Sequence, residues 1–322
     1  MTAIAVLDDW QGVARTSADW SPLQARAELV FFHEAFADED AAAEALARFD
    51  ILLTMRERTP FPASLIARLP RCRMIGITGA ANPSLDLAAC RAHDITVCNT
   101  GGVPGGAGFA TAELALGLLL AAARSVPAGD AAIRAGRFQD GVPEGIALAG
   151  RTLGLIGLGR LGTRMAHYAR ALDMQVLAWS PNLTAERAAA AGAAPVSLDQ
   201  LLERSDAVSL HLVLSDRTRG VLGAAELARM KPGAILVNTS RGPLIDEAAL
   251  VEAVREGRIT AALDVFDQEP LPSDHPLRTA RNTVLTPHLG YGVAETWAAF
   301  YGDSVANATE FLDGRPVRVV GG

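Results

Sequence analysis

Short apolar runs alternate with amphipathic stretches along nearly the whole chain, and the alternation falls into two series. In the first, residues 4–7, 28–31, 51–54, 74–77 and 95–98 predict buried strands, with helical spacing at 40–48, 62–68 and 85–92 between them. In the second, strands are predicted at 153–156, 175–179, 207–211, 235–238, 261–264 and 284–286. Strands separated by helices imply right-handed βαβ units, and so parallel sheets covered on both faces. The expected class is α/β with two doubly wound parallel-sheet domains. A last helical pattern over 294–312 follows the completed second series and is expected to return to the first domain.

One turn between a strand and a helix stands out. Gly157-Leu158-Gly159-Arg160-Leu161-Gly162 follows the apolar run 152–156 and precedes an amphipathic helix predicted over 165–172. Two glycines let the backbone turn and approach a pyrophosphate at a helix N-terminus, and the third lets helix and strand pack closely. Alone the motif also fits a glycine-rich turn that binds nothing; the flanking strand and helix favour a dinucleotide. About 150 residues precede it, enough for a whole domain. The cofactor domain therefore follows another domain or is inserted into it.

Composition narrows the class further. A chain of 322 residues is long for one core, and 50% hydrophobic residues supply two. A net charge of −7 without a basic cluster argues against nucleic acid as a partner. Cys72, Cys90 and Cys98 are few, odd in number and without metal-ligand spacing, which predicts buried thiols, a reducing cytoplasmic location and no metal site. Residues 1–7 run straight into Asp8-Asp9 as a first strand rather than a signal peptide. The apolar run 109–123, interrupted by Glu113, is expected to fall short of a membrane span and to form a buried or interfacial helix.

Three polar residues follow strand ends in the second series: Arg241, Glu269 and His288. Singly, a surface ion pair, a solvated carboxylate and a turn cap would explain them. Together, and beyond the carboxyl ends of parallel strands where such folds bind ligands, they read as a catalytic set.

The chain resembles the D-isomer-specific 2-hydroxyacid dehydrogenase family, in its phosphoglycerate, glyoxylate and hydroxypyruvate reductase-like branches. The resemblance rests on four segments in order: Leu155 to Gly162, Met230-Lys231-Pro232-Gly233 through Asn238-Thr239-Ser240-Arg241-Gly242, Ala262-Leu263-Asp264-Val265-Phe266 through Glu269-Pro270-Leu271, and Thr286-Pro287-His288-Leu289-Gly290. It implies a Rossmann cofactor domain over 101–292 inserted into a flavodoxin-like substrate domain made of 1–100 and 293–322. It implies hydride transfer between a nicotinamide dinucleotide and a small 2-keto or 2-hydroxy acid. Arg241 would anchor the carboxylate with its planar fork and polarise the ketone. His288 would be the acid or base, since imidazole titrates near neutral pH, with Glu269 orienting its ring.

By the same resemblance, Arg56, Thr78, Gly79 and Ala80 contact substrate together with Arg241 and His288. The cofactor set becomes Gly157, Gly159, Arg160, Leu161, Gly162, Ser180, Asn182, His211, Leu212, Thr218, Thr239, Ser240, Arg241, Asp264, His288 and Gly290. A two-fold homodimer is implied, with Leu114, Leu118 or neighbours in the interface.

Two departures qualify the resemblance. Gly79-Ala80-Ala81-Asn82-Pro83 replaces a more glycine-rich turn, and Asn82 is expected to add a side-chain contact to substrate. Ser180, 18 positions after Gly162, stands where an acid would bind the ribose hydroxyls. Its lack of charge slightly favours NADP over NAD, although no arginine directly follows. The arginines of Met55-Arg56-Glu57-Arg58-Thr59 suit a second substrate anion, or are neutralised by Glu57 and its neighbours. Two other readings are a dinucleotide-sensing corepressor-like protein and a formate-dehydrogenase-like enzyme; the carboxylate of Glu269 disfavours the second.

Overall fold

The computed structural model describes residues 1–103 and 105–321. Pro104 and Gly322, which fall inside the segments drawn from sequence at 101–292 and 293–322, lie outside the described residues. The chain separates into two compact units, Met1–Gly108 with Gly292–Gly322, and Phe109–Tyr291.

The first unit holds five parallel strands, β1 (Thr2–Val6), β2 (Ala27–Phe31), β3 (Ile51–Leu53), β4 (Met74–Ile77) and β5 (Thr96–Asn99), in the order β2-β1-β3-β4-β5. Ile4, Ala5, Val6, Ile51, Leu52, Met74 and Ile75 are fully buried, which is why these strands are apolar on both faces. Asp38 and Asp86 cap the helices Glu39–Leu46 and Leu87–Ala92 by accepting backbone N–H bonds. The helix Ala294–Leu312 belongs to this unit, where Asn307 donates to the Asn99 carbonyl and Tyr301 packs on Trp20. Cys72, Cys90 and Cys98 are buried free thiols. Burial pushes Cys72 up to about 12 and Cys90 up to about 11, which keeps both protonated and unreactive.

The second unit holds seven parallel strands, β6 (Thr152–Ile156), β7 (Gln175–Trp179), β8 (Ala194–Pro195), β9 (Ala207–Leu210), β10 (Ala234–Asn238), β11 (Ile259–Leu263) and β12 (Thr283–Leu285). Their order is β12-β11-β10-β9-β6-β7-β8. Alternate side chains feed two cores: Leu153, Leu155, Ile235 and Val237 enter one, Ile156, Ala234 and Leu236 the other. The sequence reading lacked β8, a two-residue exposed edge strand containing Pro195. The helix read as starting at 165 begins at Arg160, inside the glycine motif and directly after Gly159.

The helix Ala110–Ala123 and the 3₁₀ turn before it make Gly105–Ala123 a 19-residue helical segment, long and apolar enough by length and composition to cross a membrane. That exceeds the length read from the sequence. Ala115, Leu118 and Leu119 are nevertheless buried in the core of the second unit, where the helix packs against the helix Arg160–Ala171 and strands β10 and β11.

Candidate active site

The connections from β6 run outward through β7 and β8, then restart at β9 and run the other way, so the sheet reverses between β6 and β9. Open α/β sheets bind ligands at such a reversal. The glycine turn lies there. Gly157 adopts φ +102°, and a Cβ on it would come within 2.6 Å of the His211 carbonyl oxygen. A Cβ on Gly162 would strike the Gly157 carbonyl, so only glycine lets the helix close on the strand. At Gly159, the N-cap of the helix Arg160–Ala171, an added Cβ meets nothing within 4 Å. A helix N-terminus beside open space fits a pyrophosphate.

The other cofactor candidates surround this turn in sequence but differ in how their side chains are used. His211 follows β9 with Nε2 3.0 Å from the Ser209 hydroxyl, and burial pushes its imidazole down to about 4, so the ring is neutral at pH 7. Thr218 spends its hydroxyl on its own turn, donating to the Val213 carbonyl at 2.7 Å and accepting from the Ser215 N–H at 2.8 Å. Arg160 places its guanidinium 5.5 Å from the Phe109 ring. Ser180 follows β7 and is half-buried. The carbonyl of nearby Asn182 accepts from Arg187 Nη1 at 3.4 Å, which draws that guanidinium back onto the loop.

Arg241, Glu269 and His288 follow β10, β11 and β12, three adjacent parallel strands. Buried Asn238 at the end of β10 builds the arginine loop: its Nδ2 donates to the Arg241 carbonyl at 2.9 Å and its Oδ1 accepts the Ser240 N–H at 3.0 Å. Ser240 Oγ donates to the Leu210 carbonyl at 2.8 Å, and Thr239 is buried. Arg241 Nη1 donates to the Ser240 carbonyl at 2.7 Å, which orients the guanidinium. A Cβ on Gly242 would collide with the Phe266–Asp267 backbone, so that glycine lets the Arg241 loop lie against the loop carrying Glu269.

Glu269 binds in two directions. Oε1 accepts the Phe266 N–H at 3.0 Å, and Oε2 lies 2.5 Å from His288 Nδ1. His288 has φ +54°, a left-handed conformation held from below by Asp264. The Asp264 carbonyl accepts the His288 N–H at 2.8 Å. Its fully buried carboxylate accepts from Thr286 Oγ1 at 2.6 Å, Leu289 N–H at 2.7 Å and Gly290 N–H at 2.8 Å. Burial pushes the Asp264 carboxyl up, against these donors and nearby His288. The Tyr291 ring meets the imidazole edge to face, 5.6 Å between centroids. Asn238 was missed in the sequence reading; an Asn at a strand end two residues before Ser is the signal of such a turn.

In the first unit, the structure brings Arg56, Thr78 and Gly79 together. Arg56 N–H donates to Thr78 Oγ1 at 2.7 Å, Arg56 Nη1 donates to the Thr78 carbonyl at 3.1 Å, and this guanidinium fills the place of a Gly79 Cβ. Gly79 N–H is spent on Thr100 Oγ1 at 2.7 Å, and the Ala80 carbonyl accepts from Asn99 Nδ2 at 3.2 Å. Asn82, expected to reach substrate, is buried instead: its Nδ2 donates to the Arg56 carbonyl at 2.9 Å and its Oδ1 accepts the Ser84 N–H. The amide satisfies local backbone that would otherwise be orphaned.

A family model described as D-isomer specific 2-hydroxyacid dehydrogenase, NAD binding domain, matches residues 116–290. The D-3-phosphoglycerate dehydrogenase of Archaeoglobus fulgidus is 38% identical over 244 residues, covering 76% of this chain and 46% of that protein. The glyoxylate reductase of Aeropyrum pernix is 39% identical over 259 residues, covering 78% and 76%. The chain spans about half the length of the phosphoglycerate dehydrogenase relatives it matches. The crystal structure of a phosphoglycerate oxidoreductase from Vibrio cholerae superposes with a TM-score of 0.91 at 33% identity, covering 98% of this chain and all of that one.

Proposed function

The chain belongs to the D-isomer-specific 2-hydroxyacid dehydrogenase family, and from that premise we propose that it interconverts a small 2-keto acid and its D-2-hydroxy acid with a nicotinamide dinucleotide. The observation that carries the proposal is the Glu269–His288 pair at 2.5 Å, set on strand ends next to that of Arg241 in the sheet that bears the glycine turn. The second unit is then the dinucleotide unit.

The bound dinucleotide supplies or accepts the hydride at its nicotinamide. The chain's own groups do the rest. Arg241, oriented by the Ser240 carbonyl, presents its guanidinium to the substrate carboxylate and polarises the ketone. In the reductive direction His288 gives a proton from Nε2 to the oxygen that becomes the hydroxyl, while Nδ1 stays on Glu269. Glu269 holds the ring in register through that contact.

NADP is the preferred form in this reading. Ser180 brings no charge to repel a 2′-phosphate, and Arg187, turned onto the Asn182 carbonyl, places a cation on the same loop. The chain also assembles as a homodimer. Leu118 is buried within its own unit, while Leu114 on the same helix is half-buried. Close to it in sequence, the exposed apolar side chains Leu120, Val126, Ile133 and Phe138 are offered to such an interface. Initial rates with NADH and NADPH over a panel containing glyoxylate, hydroxypyruvate and pyruvate, followed at the nicotinamide absorbance band, test the activity. No oxidation with any acid would overturn it.

A further inference from the structure

Arg241 and Glu269 follow neighbouring strands of the second unit, and a tie between their segments lies further along each. Glu247 comes six residues after Arg241 (241 to 247) and opens the helix Glu247–Arg255, which Asp246 caps. His275 comes six residues after Glu269 (269 to 275). His275 Nε2 lies 2.8 Å from Glu247 Oε1, and the two side chains are only 15% and 26% exposed, so solvent screens the contact weakly. The other ring nitrogen, Nδ1, accepts the Leu277 N–H at 3.3 Å and caps the 3₁₀ turn Pro276–Arg278. An acceptor at Nδ1 leaves the ring proton on Nε2, from where it donates to Glu247. Leu277 is buried in the same core as Leu250 and Phe266. Arg278 closes the segment on itself: its Nη2 donates to the Leu271 carbonyl at 2.6 Å and its Nε to the Pro272 carbonyl at 2.7 Å. The stretch from Glu269 to Arg278 is thus internally braced, and His275 fastens it to the segment that carries Arg241.

We propose that His275 is a positioning residue for the reaction, which through Glu247 holds the Arg241 segment in register with the Glu269–His288 pair; the proposal rests on the 2-keto acid reading above. In that reading a substrate anchored at Arg241 must present its keto oxygen to His288. The carboxylate and keto carbons of a 2-keto acid are bonded to each other, so the two protein groups must be kept at one separation with little slack. Nearer the site, the segments abut where Gly242 lies against the Phe266–Asp267 backbone. Gly242, Glu247, Asp267 and Leu277 line one small cavity there. Burial, and then the charges of Glu247 and Asp246, push the Asp267 carboxyl up, with Arg219 opposing them. Asp267 and Glu247 therefore tend to drive the segments apart when both are ionised, and the His275 N–H supplies a donor that holds Glu247 to the Glu269 segment.

Two substitutions divide the imidazole between them. His275→Gln keeps a donor near the place of Nε2, for Glu247, and gives up the acceptor for Leu277; His275→Asn keeps that acceptor and gives up the donor. The full chain is assayed with glyoxylate and whichever dinucleotide it accepts, and exchange of the Phe266 N–H, which Glu269 Oε1 accepts, is followed by NMR. His275→Asn should lower kcat about tenfold with a smaller change in the KM for glyoxylate, leave the KM for the dinucleotide unmoved, and speed the Phe266 exchange. His275→Gln should recover most of that loss. Glu247→Ala should behave as His275→Asn does, and Glu247→Gln, which keeps an acceptor, should recover most of its loss; this second pair carries the test if a His275 variant does not fold. A role in capping alone gives the reverse order, with His275→Gln the worse variant, and overturns the proposal. Equal losses in the two His275 variants overturn it as well, as does a wild-type kcat in His275→Asn. If the wild type reduces glyoxylate and the expected order is absent, this inference alone fails. If the wild type reduces no acid, the dehydrogenase reading fails and takes the role of His275 with it.

Discussion

Nδ1 of His288 lies 2.5 Å from Oε2 of Glu269, and the other oxygen of the same carboxylate is occupied by the Phe266 N–H. The carboxylate is therefore fixed to its own loop and fixes the ring in turn, so in the proposed reaction Nε2 is the nitrogen that serves the substrate. His288→Gln or His288→Ala should lower turnover by roughly 10²–10⁴-fold, the usual worth of a positioned acid–base group. Dinucleotide affinity, measured by titration calorimetry, should persist. Full turnover across pH in either variant would remove His288 from the mechanism.

Arg241 is held by the Ser240 carbonyl through one Nη1 bond, and its loop is built by Asn238. Lysine can supply the charge but neither the fork nor the plane that this bond orients. Arg241→Lys is expected to raise the KM for the 2-keto acid by about tenfold or more, because a two-point contact becomes one point. An unchanged KM would mean that the carboxylate is anchored elsewhere.

Asp8 gives a pH signature in stability. Burial pushes its carboxyl from the ordinary 3.8 up to about 6, against the Thr59 hydroxyl and Arg58. The folded state then holds this proton more tightly than the unfolded chain, so stability from this group is present below about pH 4 and is lost as pH rises to about 6. The loss approaches about 3 kcal/mol, two units at 1.36 kcal/mol each. Asp8→Asn keeps an acceptor for Thr59 but cannot ionise. Urea unfolding of both proteins should show the wild type losing stability relative to the variant across this window, with no further change above about pH 7. A constant difference from pH 4 to pH 7 would contradict the assignment.

Much of the fold was legible because buried parallel strands are written as apolar runs. The strand Gln175–Trp179 and the helix Ala294–Leu312 occur where the pattern placed them. β8 was not legible: Ala194 and Pro195 are exposed and carry no hydrophobic signal. The start of the helix Arg160–Ala171 was hidden for a similar reason, since its buried face is marked by Met165, Ala166 and Ala169 while Arg160, Thr163 and Arg164 are polar. The strand-end positions of Arg241, Glu269 and His288 followed from the strands. The contact of Glu269 with His288 was expected from the family resemblance and not from the strands themselves, because it spans 19 residues and exists only through the pairing of β11 with β12. Asn82 misled for the opposite reason. A polar side chain in a candidate binding turn was read as facing a ligand, when the backbone at Arg56 needed it.

The cofactor preference turns on Ser180, at the end of β7, where an acid would accept both ribose hydroxyls. Ser180→Asp would restore that bidentate acceptance and set a negative charge against a 2′-phosphate. At close range and partial exposure such repulsion is worth about 1 kcal/mol or more. The ratio of kcat/KM with NADH to that with NADPH should therefore rise by about tenfold, since 1.4 kcal/mol is one decade. Arg187→Ala should move the ratio the same way but less, because its guanidinium is exposed and its 3.4 Å bond to the Asn182 carbonyl is weak. The KM for the 2-keto acid should hardly change in either variant, because Ser180 ends β7 while Arg241 and His288 follow β10 and β12, three and five positions along the sheet order. A ratio that stays flat in Ser180→Asp would show that the adenosine end of the dinucleotide is not read at this position, and the preference for NADP would fall.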